Sequence, residues 1–469
     1  MTLRTKRQML SALALTMVVA VHTVPVLAQA QAQARLPGAV MDKLDLLSEE
    51  QISFLRTDEP LRVIPSREKL YQDIERRTPA QVAQYVSDMI EAVETHAYRP
   101  GIDMASIPLN PEASGFNSFK VVRPEILKER LRDPGPVNVH RYINQWAGIP
   151  TFAGAPVAVT PEDLIAGNVE VAIAGIPQSM SSGSRDGRNA PNGLRAMHVT
   201  GNLDVYAMVD PGAVLNIVDY GDISVDRMSL ERGLDHVYDM VLEMANTGAT
   251  PFLIGGDHSL MYPNVKAVQA SDPAQGLTVV HLGANFNAEP TRAHTISDRD
   301  AVYRLVSEGV VAGSDLIQVG LRGAQATRAS FDWLRENEVR YHTMASVEAN
   351  GWPNVMEAVL EEAADASNPL YISLDVSVLD PVEMTAAGRA VPGGLTIREV
   401  TPLLRRLCAE NEVAGLELMD FAPMLDLSYV SAMNANYMLN ACLSGIAMRK
   451  QGITEENYLD PTVVDHGQN

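Results

Sequence analysis

The sequence YISLDVSVLDP, residues 371–381, decides the fold. It begins with an apolar run containing β-branched residues, which is typical of a strand buried on both faces, and it ends in aspartate and proline, which form turns. Similar apolar runs, each ending in glycine, aspartate or another loop former, recur along the second part of the chain. They are VEVAIAGI (169–176), VLNIVDYG (214–221), PFLIGGD (251–257), LTVVHLGA (277–284), DLIQVGL (315–321) and GLELMDF (415–421), with a weaker run at VRYHT (339–343).

Helical patterns separate these strands. The clearest is LERGLDHVYDMVLEMANTG, residues 230–248, which ends at Gly248. Its apolar side chains share one face at Leu230, Leu234, Val237, Val241 and Met244. Strands that alternate with helices predict a parallel sheet covered on both faces, with functional side chains gathered at the carboxyl ends of the strands.

Polar residues follow four of these strands. They are Asp257 with His258, the uncharged polar segment 283–287, Asp375 with Ser377 and Asp380, and Glu417 with Asp420. One histidine and several carboxylates at one sheet edge indicate a site for a hard metal ion or a cationic ligand. Local turn chemistry is the alternative, in which Asp257 caps a helix in SLMYPNVKAV and Asp380 starts a loop. Both interpretations remain open on spacing alone.

The overall charge limits the classes of partner. A net charge of −21 over 469 residues argues against binding to nucleic acid or to an anionic membrane surface. Aromatic residues make up 5% of the chain and are not interleaved with basic ones, which also argues against single-stranded nucleic acid.

The N-terminus has the pattern of an export signal. MTLRTKRQML is basic, residues 9–21 are almost wholly apolar, and small-residue cleavage patterns begin at residue 28. TKRQML resembles a twin-arginine signal with Lys6 in place of the first arginine. An uncleaved anchor is the alternative, but the apolar run is shorter than the roughly 20 residues that a bilayer needs. We therefore expect a periplasmic or secreted protein with no membrane attachment after cleavage.

The same patterns divide the chain into four parts. We predict a signal peptide at residues 1–30 and a helical and irregular extension at 31–165 that wraps the main domain. The α/β domain follows at 166–452, and a polar tail at 453–469.

Cys408 and Cys442, the two cysteines of the chain, each lie in an apolar helical pattern. This pattern favours two buried thiols. A single disulfide is the alternative that an oxidising compartment permits.

Several motifs resemble those of the ureohydrolases, the family that includes arginase and agmatinase. The resemblance spans roughly residues 145–450. The matching segments are WAGIPTF (146–152), VLNIVDYGDISV (214–225), GGDHS (255–259), SLDVSVLDP (373–381) and PGGLTIRE (392–399). It implies a three-layer α/β/α fold with a mostly parallel sheet of about eight strands. It also implies hydrolysis of a guanidino group to urea and an amine by two Mn²⁺ ions.

The family's metal ligands map to positions where most donors are missing. These positions are His258, Gly283, Asn285, Asn287, Asp375 and Ser377. Glycine offers no donor atom, and the neutral amides and hydroxyl are weak substitutes for carboxylates. Two dications would therefore leave roughly three positive charges uncompensated, each costing several kcal/mol when buried. We expect no Mn²⁺ pair, and at most a single weakly held divalent metal at His258 and Asp375.

The substrate side also differs from the family pattern. The acidic residue of the family's substrate loop has become Val391, and Arg389 places a cation where a substrate guanidinium should lie. Asp420 aligns with a family glutamate, and His294 resembles the family's proton-shuttling histidine. His294 and Asp420 are thus the candidate catalytic residues.

These changes leave three hypotheses. Changes on both the metal and the substrate sides favour a non-catalytic relative whose fold serves binding or assembly. A rebuilt hydrolase is the second, with one metal held by the asparagines, Asp420 or carboxylates such as Asp257, Glu289 and Glu383. The third is a structural subunit that completes an active paralogue in a mixed oligomer. The resemblance implies a homo-oligomer, a trimer or hexamer, as the common assembly.

Overall fold

A computed structural model describes residues 36–64, 66–95 and 135–463, the last with short gaps at 138–139, 142–143, 182–184, 198–202, 291–295, 325, 366–367, 457 and 461–462. The predicted signal peptide at residues 1–30 lies outside the described residues, as does His294. Among the residues that are described, no helix has the length and apolar character needed to cross a membrane.

Eight strands form one parallel sheet, as the apolar runs predict. They are β1 Val171–Ile176, β2 Ile217–Asp222, β3 Thr250–Gly255, β4 Thr278–Leu282, β5 Leu316–Leu321, β6 Arg340–Thr343, β7 Leu370–Asp375 and β8 Val413–Met419. Their order across the sheet is β2-β1-β3-β8-β7-β4-β5-β6. The weak run at 339–343 is confirmed as the edge strand β6. A two-stranded antiparallel ribbon, His140–Arg141 with Asn144–Gly148, lies outside this sheet.

Helices connect the strands and precede the sheet. They are α1 Gly38–Met41, α2 Glu49–Arg56, α3 Arg67–Glu75, α4 Pro79–Thr95, α5 Pro161–Ala166, α6 Ala190–Ala196, α7 Pro211–Val214, α8 Leu230–Ala245, α9 Met261–Ser271, α10 Ala301–Ser307, α11 Arg328–Glu336, α12 Met344–Asn350, α13 Trp352–Asp365, α14 Ile397–Glu410 and α15 Val430–Lys450. Local sequence sets their starts. In PGGLTIRE, for example, Thr396 and Glu399 form the capping box that begins α14.

Alternate residues of the central strands enter two separate apolar cores, because successive side chains of a strand point to opposite faces. Val280 and Ile372 belong to one core, which helices α13, α14 and α15 complete. Val279 and Tyr371 belong to the other, which α8, α9 and α10 complete. The sheet is thus covered on both faces, and the predicted three-layer α/β/α fold is confirmed.

The N-terminal helices α1–α4 enclose an apolar core of their own, around Leu55, Leu70 and Val86. The interpretation of residues 31–165 as an extension that wraps the main domain stays a prediction.

Helices α14 and α15 pack side by side and are joined by a disulfide between Cys408 and Cys442, with an S–S distance of 2.13 Å. The interpretation as two buried thiols, which the apolar pattern favours, is wrong in this structure. The pattern identified two buried helix faces but not that the faces meet, and the two Cα atoms lie 5.4 Å apart, within the ordinary range for a disulfide.

Candidate functional site

The four central strands bring the candidate residues to one edge of the sheet. In the order β3, β8, β7, β4, their carboxyl ends carry His258, Asp420, Asp375 and the segment 283–287. Register places Asp375 beside Met419, so the ends of β7 and β8 are level. The sequence-based expectation that these side chains gather is therefore met for the residues that the structure describes.

At the centre of this edge lies a buried group of two imidazoles and a carboxylate: His258, His281 and Asp375. One potential ligand atom from each lies within 4.8 Å of the other two. All three side chains are fully buried. His281 was not identified from the sequence; its only signal is an ionisable side chain within the buried strand β4.

His258 presents a lone pair to this centre. Ser373 Oγ donates its hydrogen to Glu417 Oε1 at 2.6 Å, so its oxygen accepts from His258 Nε2 at 3.4 Å. The hydrogen of the neutral ring is thus on Nε2, and Nδ1 is unprotonated. Nδ1 lies 3.7 Å from Asp375 Oδ2 and has no hydrogen-bond partner in the part of the chain described. Burial lowers the pKa of His258 well below its usual value, which keeps the ring neutral at pH 7.

His281 has the opposite arrangement. Gln318 Nε2 donates to the carbonyl of Phe286 at 2.8 Å and lies 3.2 Å from His281 Nδ1, to which its second hydrogen is available. That orientation places the ring hydrogen on Nε2, which faces the centre as a donor. Burial lowers the pKa of His281 to about 4, so this ring is also neutral. A side chain at Gly283 would begin 3.0 Å from His281 Nε2, so the loss of the family's aspartate makes room for the imidazole.

The replaced ligand positions bond to one another. Ser377 Oγ accepts hydrogen bonds from the backbone of Ala284 at 3.2 Å and from Asn285 Nδ2 at 3.3 Å. Asn287 adopts a left-handed backbone conformation with φ of 49°. Its Oδ1 accepts a hydrogen bond from Arg389 Nη1 at 3.1 Å.

The guanidinium of Arg389 places a positive charge at this site. Its Nη2 donates to Asp375 Oδ2 at 3.3 Å, and its Nε lies 3.1 Å from Asp298 and 3.8 Å from Asp420. The side chain is 11% exposed. Burial alone would lower the pKa of Arg389. The negative charges of Asp420, Asp375 and Asp298 outweigh this effect and raise the pKa, so the guanidinium stays charged. The sequence placed Arg389 on the substrate side, and the structure also brings it against the metal-position residue Asp375.

Two further carboxyl groups at this edge have raised pKa values. Burial and the neighbouring Asp375 raise the pKa of Asp420 well above its usual value. Burial raises the pKa of Glu417 to about 7, although Ser373, Asn264 and Tyr371 donate hydrogen bonds to it. The site therefore holds carboxyl groups that take up protons far more readily than exposed ones.

Other candidate residues have local structural roles. Asp257 caps the short turn of helix that begins at His258, and Asp380 accepts from the backbone of Val382, Gly393 and Gly394, as turn chemistry predicts. Glu383 accepts from the backbone of Ile397. Glu289 forms an exposed ion pair with Arg299.

Arg322 was also missed by the sequence analysis. Its Nη2 donates to the carbonyls of Ser377 and Val391, each at 2.7 Å. It therefore ties the backbone that follows β7 to the loop that carries Arg389. No sequence motif marks such an arginine, because backbone carbonyls accept it.

The residues present do not fit a pair of Mn²⁺ ions. Gly283 has no donor, Asn285 and Ser377 bond to each other, and Asn287 accepts from Arg389. For a single ion, His258 Nδ1 and Asp375 face the centre, but His281 Nε2 carries a hydrogen and Asp375 is shared with a guanidinium. The expectation of no metal, or at most a single weakly held divalent ion, stays a prediction.

Comparison with known proteins gives one consistent result. A model of the arginase family matches residues 169–444. The chain is 27% identical to a guanidinobutyrase from Pseudomonas aeruginosa, over 65% of this chain and 95% of that protein. It is 27% identical to an agmatinase from Chromobacterium violaceum, over 66% of this chain and 92% of that protein.

Solved structures agree on the fold. Proclavaminate amidinohydrolase from Streptomyces clavuligerus superposes with a TM-score of 0.59 at 24% identity, covering 65% of this chain and 99% of that one. Formimidoylglutamase from Bacillus subtilis gives a TM-score of 0.58 at 22% identity, covering 69% and 98%.

Proposed function

The chain belongs to the arginase family, and we propose that it is an exported, non-catalytic member whose fold serves binding or assembly. One observation carries the proposal: at the position of the family's metal pair, the residues present bond to one another and to an internal guanidinium. Asn285 bonds to Ser377, and Arg389 bonds to Asn287 and Asp375.

Charge supports the same conclusion. Of the family's ligand positions, Asp375 alone keeps a carboxylate, and both dications would need charge compensation in a buried site. Uncompensated buried charge costs several kcal/mol even after relaxation, and Mn²⁺ prefers carboxylate and imidazole ligands. The family reaction, in which two metals activate a bridging hydroxide, therefore lacks its central component here.

Export is proposed from the basic and apolar N-terminal pattern, which indicates a periplasmic or secreted protein. The disulfide between Cys408 and Cys442 supports the same compartment, because disulfides persist mainly in oxidising environments. Fractionation of the native host is the test. Mature protein lacking residues 1–30 in the periplasm or medium would support export, and full-length protein in the cytoplasm would contradict it.

Urea release tests the absence of ureohydrolase activity. The purified protein is incubated with agmatine, arginine or guanidinobutyrate in the presence of added Mn²⁺, with the guanidinobutyrase from P. aeruginosa as the positive control. We expect no urea above the level of a protein-free blank. Turnover that an Asp375→Ala variant loses would contradict the proposal.

A rebuilt single-metal hydrolase of a guanidino or other amidine substrate is the second candidate. The observation that favours it is the convergence of His258, His281 and Asp375, with an Nδ1 on His258 to which no described residue forms a hydrogen bond. Hydrolysis that one bound metal per chain supports, and that His258→Ala abolishes, would favour this candidate over the first.

The proposed assembly is a homo-oligomer, a trimer or hexamer, or a mixed oligomer in which this chain completes an active paralogue. Light scattering after size-exclusion chromatography measures the molar mass of the purified protein and so tests for a homo-oligomer. Co-purification with a paralogue from the native host, with higher activity of that paralogue in the complex, would support the second.

A further inference from the structure

A cavity of about 300 Å³ lies at the amino-terminal edge of the central sheet, between α3 and the α/β domain. One wall comes from α3 and the turn before it. The other walls come from the loop 153–156, the segments that lead into β1 and β2, and helices α7 and α15. Since the group of His258, His281 and Asp375 lies at the carboxyl ends of the strands, this cavity is separate from the candidate site.

The cavity is large enough to hold a small molecule. A cavity of about 150 Å³ binds benzene, so one of about 300 Å³ has room for a bicyclic ring system. Ligand sites in proteins begin at about this volume and occur preferentially where two structural units meet. The N-terminal helices and the α/β domain are two such units, because their apolar cores are separate. A space of this size between them forfeits packing contacts unless a ligand fills it.

The charged groups on the wall of the cavity already have partners in the protein. Lys69 Nζ lies 3.4 Å from Asp73 Oδ1, and Asp210 Oδ1 accepts a hydrogen bond from the backbone of Gly212 at 3.0 Å. One lysine and one aspartate line the cavity, so the charges of its wall sum to zero. A charged ligand would lose its hydration here without gaining an unpaired counterion, which favours a neutral one.

Two uncharged polar groups on the wall have hydrogen bonds left to make. The side-chain amides of Gln72 on α3 and Asn440 on α15 line the cavity, and neither bonds to any residue in the described part of the chain. Each amide can both donate and accept. Most of the remaining wall is formed by apolar side chains and glycine. The cavity thus combines an apolar body with two polar groups of matched chemistry, as small-molecule sites do.

We propose that this cavity binds a small neutral molecule with an apolar ring system and a carboxamide-like group, which exchanges hydrogen bonds with Gln72 and Asn440. Such a ligand contacts both α3 and the α/β domain, so its binding stabilises their association. The cavity lies away from His258 and Asp375, so the ligand binds whether or not metal ions occupy the carboxyl edge of the sheet.

Three ligands with the same ring system test the proposal by isothermal titration calorimetry at pH 7: 2-naphthamide, its anionic isostere 2-naphthoate, and naphthalene. We expect one 2-naphthamide per chain. It should bind about tenfold more tightly than naphthalene, which forms no hydrogen bonds, and at least about tenfold more tightly than 2-naphthoate, whose charge would be desolvated. Amide hydrogen exchange in α3 should slow when 2-naphthamide is added.

Alanine variants test the two amides. Gln72→Ala and Asn440→Ala should each weaken 2-naphthamide binding about fivefold and leave naphthalene binding within about twofold, because only the first ligand uses the amides. Both variants should fold, since neither side chain bonds to another described residue. Gln451→Ala, an exposed amide at the end of α15, is the matched control and should bind all three ligands as the wild type does.

Tryptophan variants test the location. Leu61→Trp and Ile217→Trp replace half-buried residues of the cavity wall, one from the N-terminal segment and one from β2, and each should block 2-naphthamide and naphthalene alike. Met356→Trp is the control, because Met356 is a half-buried apolar residue of α13 that does not line the cavity. It should leave binding unchanged. If neither variant of the wall folds, the alanine variants decide.

Three results would overturn the proposal: no binding of 2-naphthamide by the wild type, equal affinities for 2-naphthamide and 2-naphthoate, or affinities that Gln72→Ala and Asn440→Ala leave unchanged. Binding that persists in folded Leu61→Trp and Ile217→Trp variants would place the ligand elsewhere and would also overturn it. The proposed loss of ureohydrolase activity fails separately, through urea release by the wild type.

Discussion

Two arginines with largely covered side chains lie at the carboxyl edge of the same sheet, and their surroundings differ. Arg195, near the outer strand β2, bonds to both oxygens of Asp219 at 2.7 and 2.9 Å and to Asp222 at 2.6 Å. Arg389, at the centre, meets three carboxylates at 3.1 to 3.8 Å, and its Nε is not aligned for a hydrogen bond.

The difference lies in how well each guanidinium matches the carboxylates around it. The short bidentate contact of Arg195 with Asp219 is the geometry in which a guanidinium and a carboxylate match each other. The carboxylates around Arg389 lie at longer distances, and that of Asp298 is not aligned for a hydrogen bond with Nε. The outer cluster is therefore a structural ion pair, whereas the central arginine bonds to Asp375 and Asn287, two positions that resemble the family's metal ligands.

The largest expected effect is at the outer cluster. Arg195→Ala leaves the buried carboxylate of Asp219 with the backbone hydrogen bonds of Phe152 and Gly221 but without its countercharge, so the free energy of unfolding should fall by about 3–5 kcal/mol at pH 7. Urea denaturation measures this loss. A loss below about 1 kcal/mol, the range of exposed ion pairs, would show that the two clusters differ less than their geometry indicates.

The pH dependence should originate at the centre. The folded-state pKa of Glu417, about 7, lies above its ordinary value of 4.5, so the stability that its protonated form contributes is lost as pH rises through 7. Each unit of difference is worth about 1.4 kcal/mol, which makes the effect of the order of 3 kcal/mol. Between pH 5 and 8, the wild type should lose stability relative to Glu417→Gln, measured by urea denaturation.

Arg195→Ala is the control for that measurement. It should keep the pH dependence of the wild type, because it leaves Glu417 unchanged. Equal slopes for the wild type and Glu417→Gln would contradict the assignment of this titration to Glu417.

The smallest expected effect is that of Asp420→Asn. The raised pKa of Asp420 means that its ionised form is disfavoured beside Asp375, and asparagine tolerates its left-handed backbone, with φ of 68°. The variant should stay within about 1 kcal/mol of the wild type at pH 7 and become relatively more stable as pH rises. Asp219→Asn at the outer cluster should cost more, because Arg195 loses its bidentate partner. A larger loss of unfolding free energy for Asp420→Asn than for Asp219→Asn in urea denaturation would contradict this expectation.

The sequence predicted most of the fold because the strands are short, buried and regularly spaced. Even the weak run at residues 339–343 forms a strand, at the sheet edge where burial is incomplete. The strand ends that carry His258, Asp375 and Asp420 were predicted to meet, since a parallel sheet places the carboxyl ends of its strands at one edge.

What the sequence did not reveal depends on the direction of individual side chains. His281 turns towards the centre because Gly283 leaves it space, and a pattern read one residue at a time does not show that coupling. The meeting of Cys408 with Cys442 depends on how two helices pack. Arg389 was identified by alignment, but its bonds to Asp375 and Asn287 required the geometry.

Anomalous scattering from crystals soaked in Mn²⁺ tests most directly the proposal that no metal pair forms at this edge of the sheet, where Arg389 bonds to Asp375 and Asn287. We expect no pair of Mn²⁺ peaks at this edge in the wild type, and guanidinium density beside Asp298 and Asp375. Two peaks about 3.5–4 Å apart near Asp375 and Asn285, the spacing of a catalytic metal pair, would contradict it.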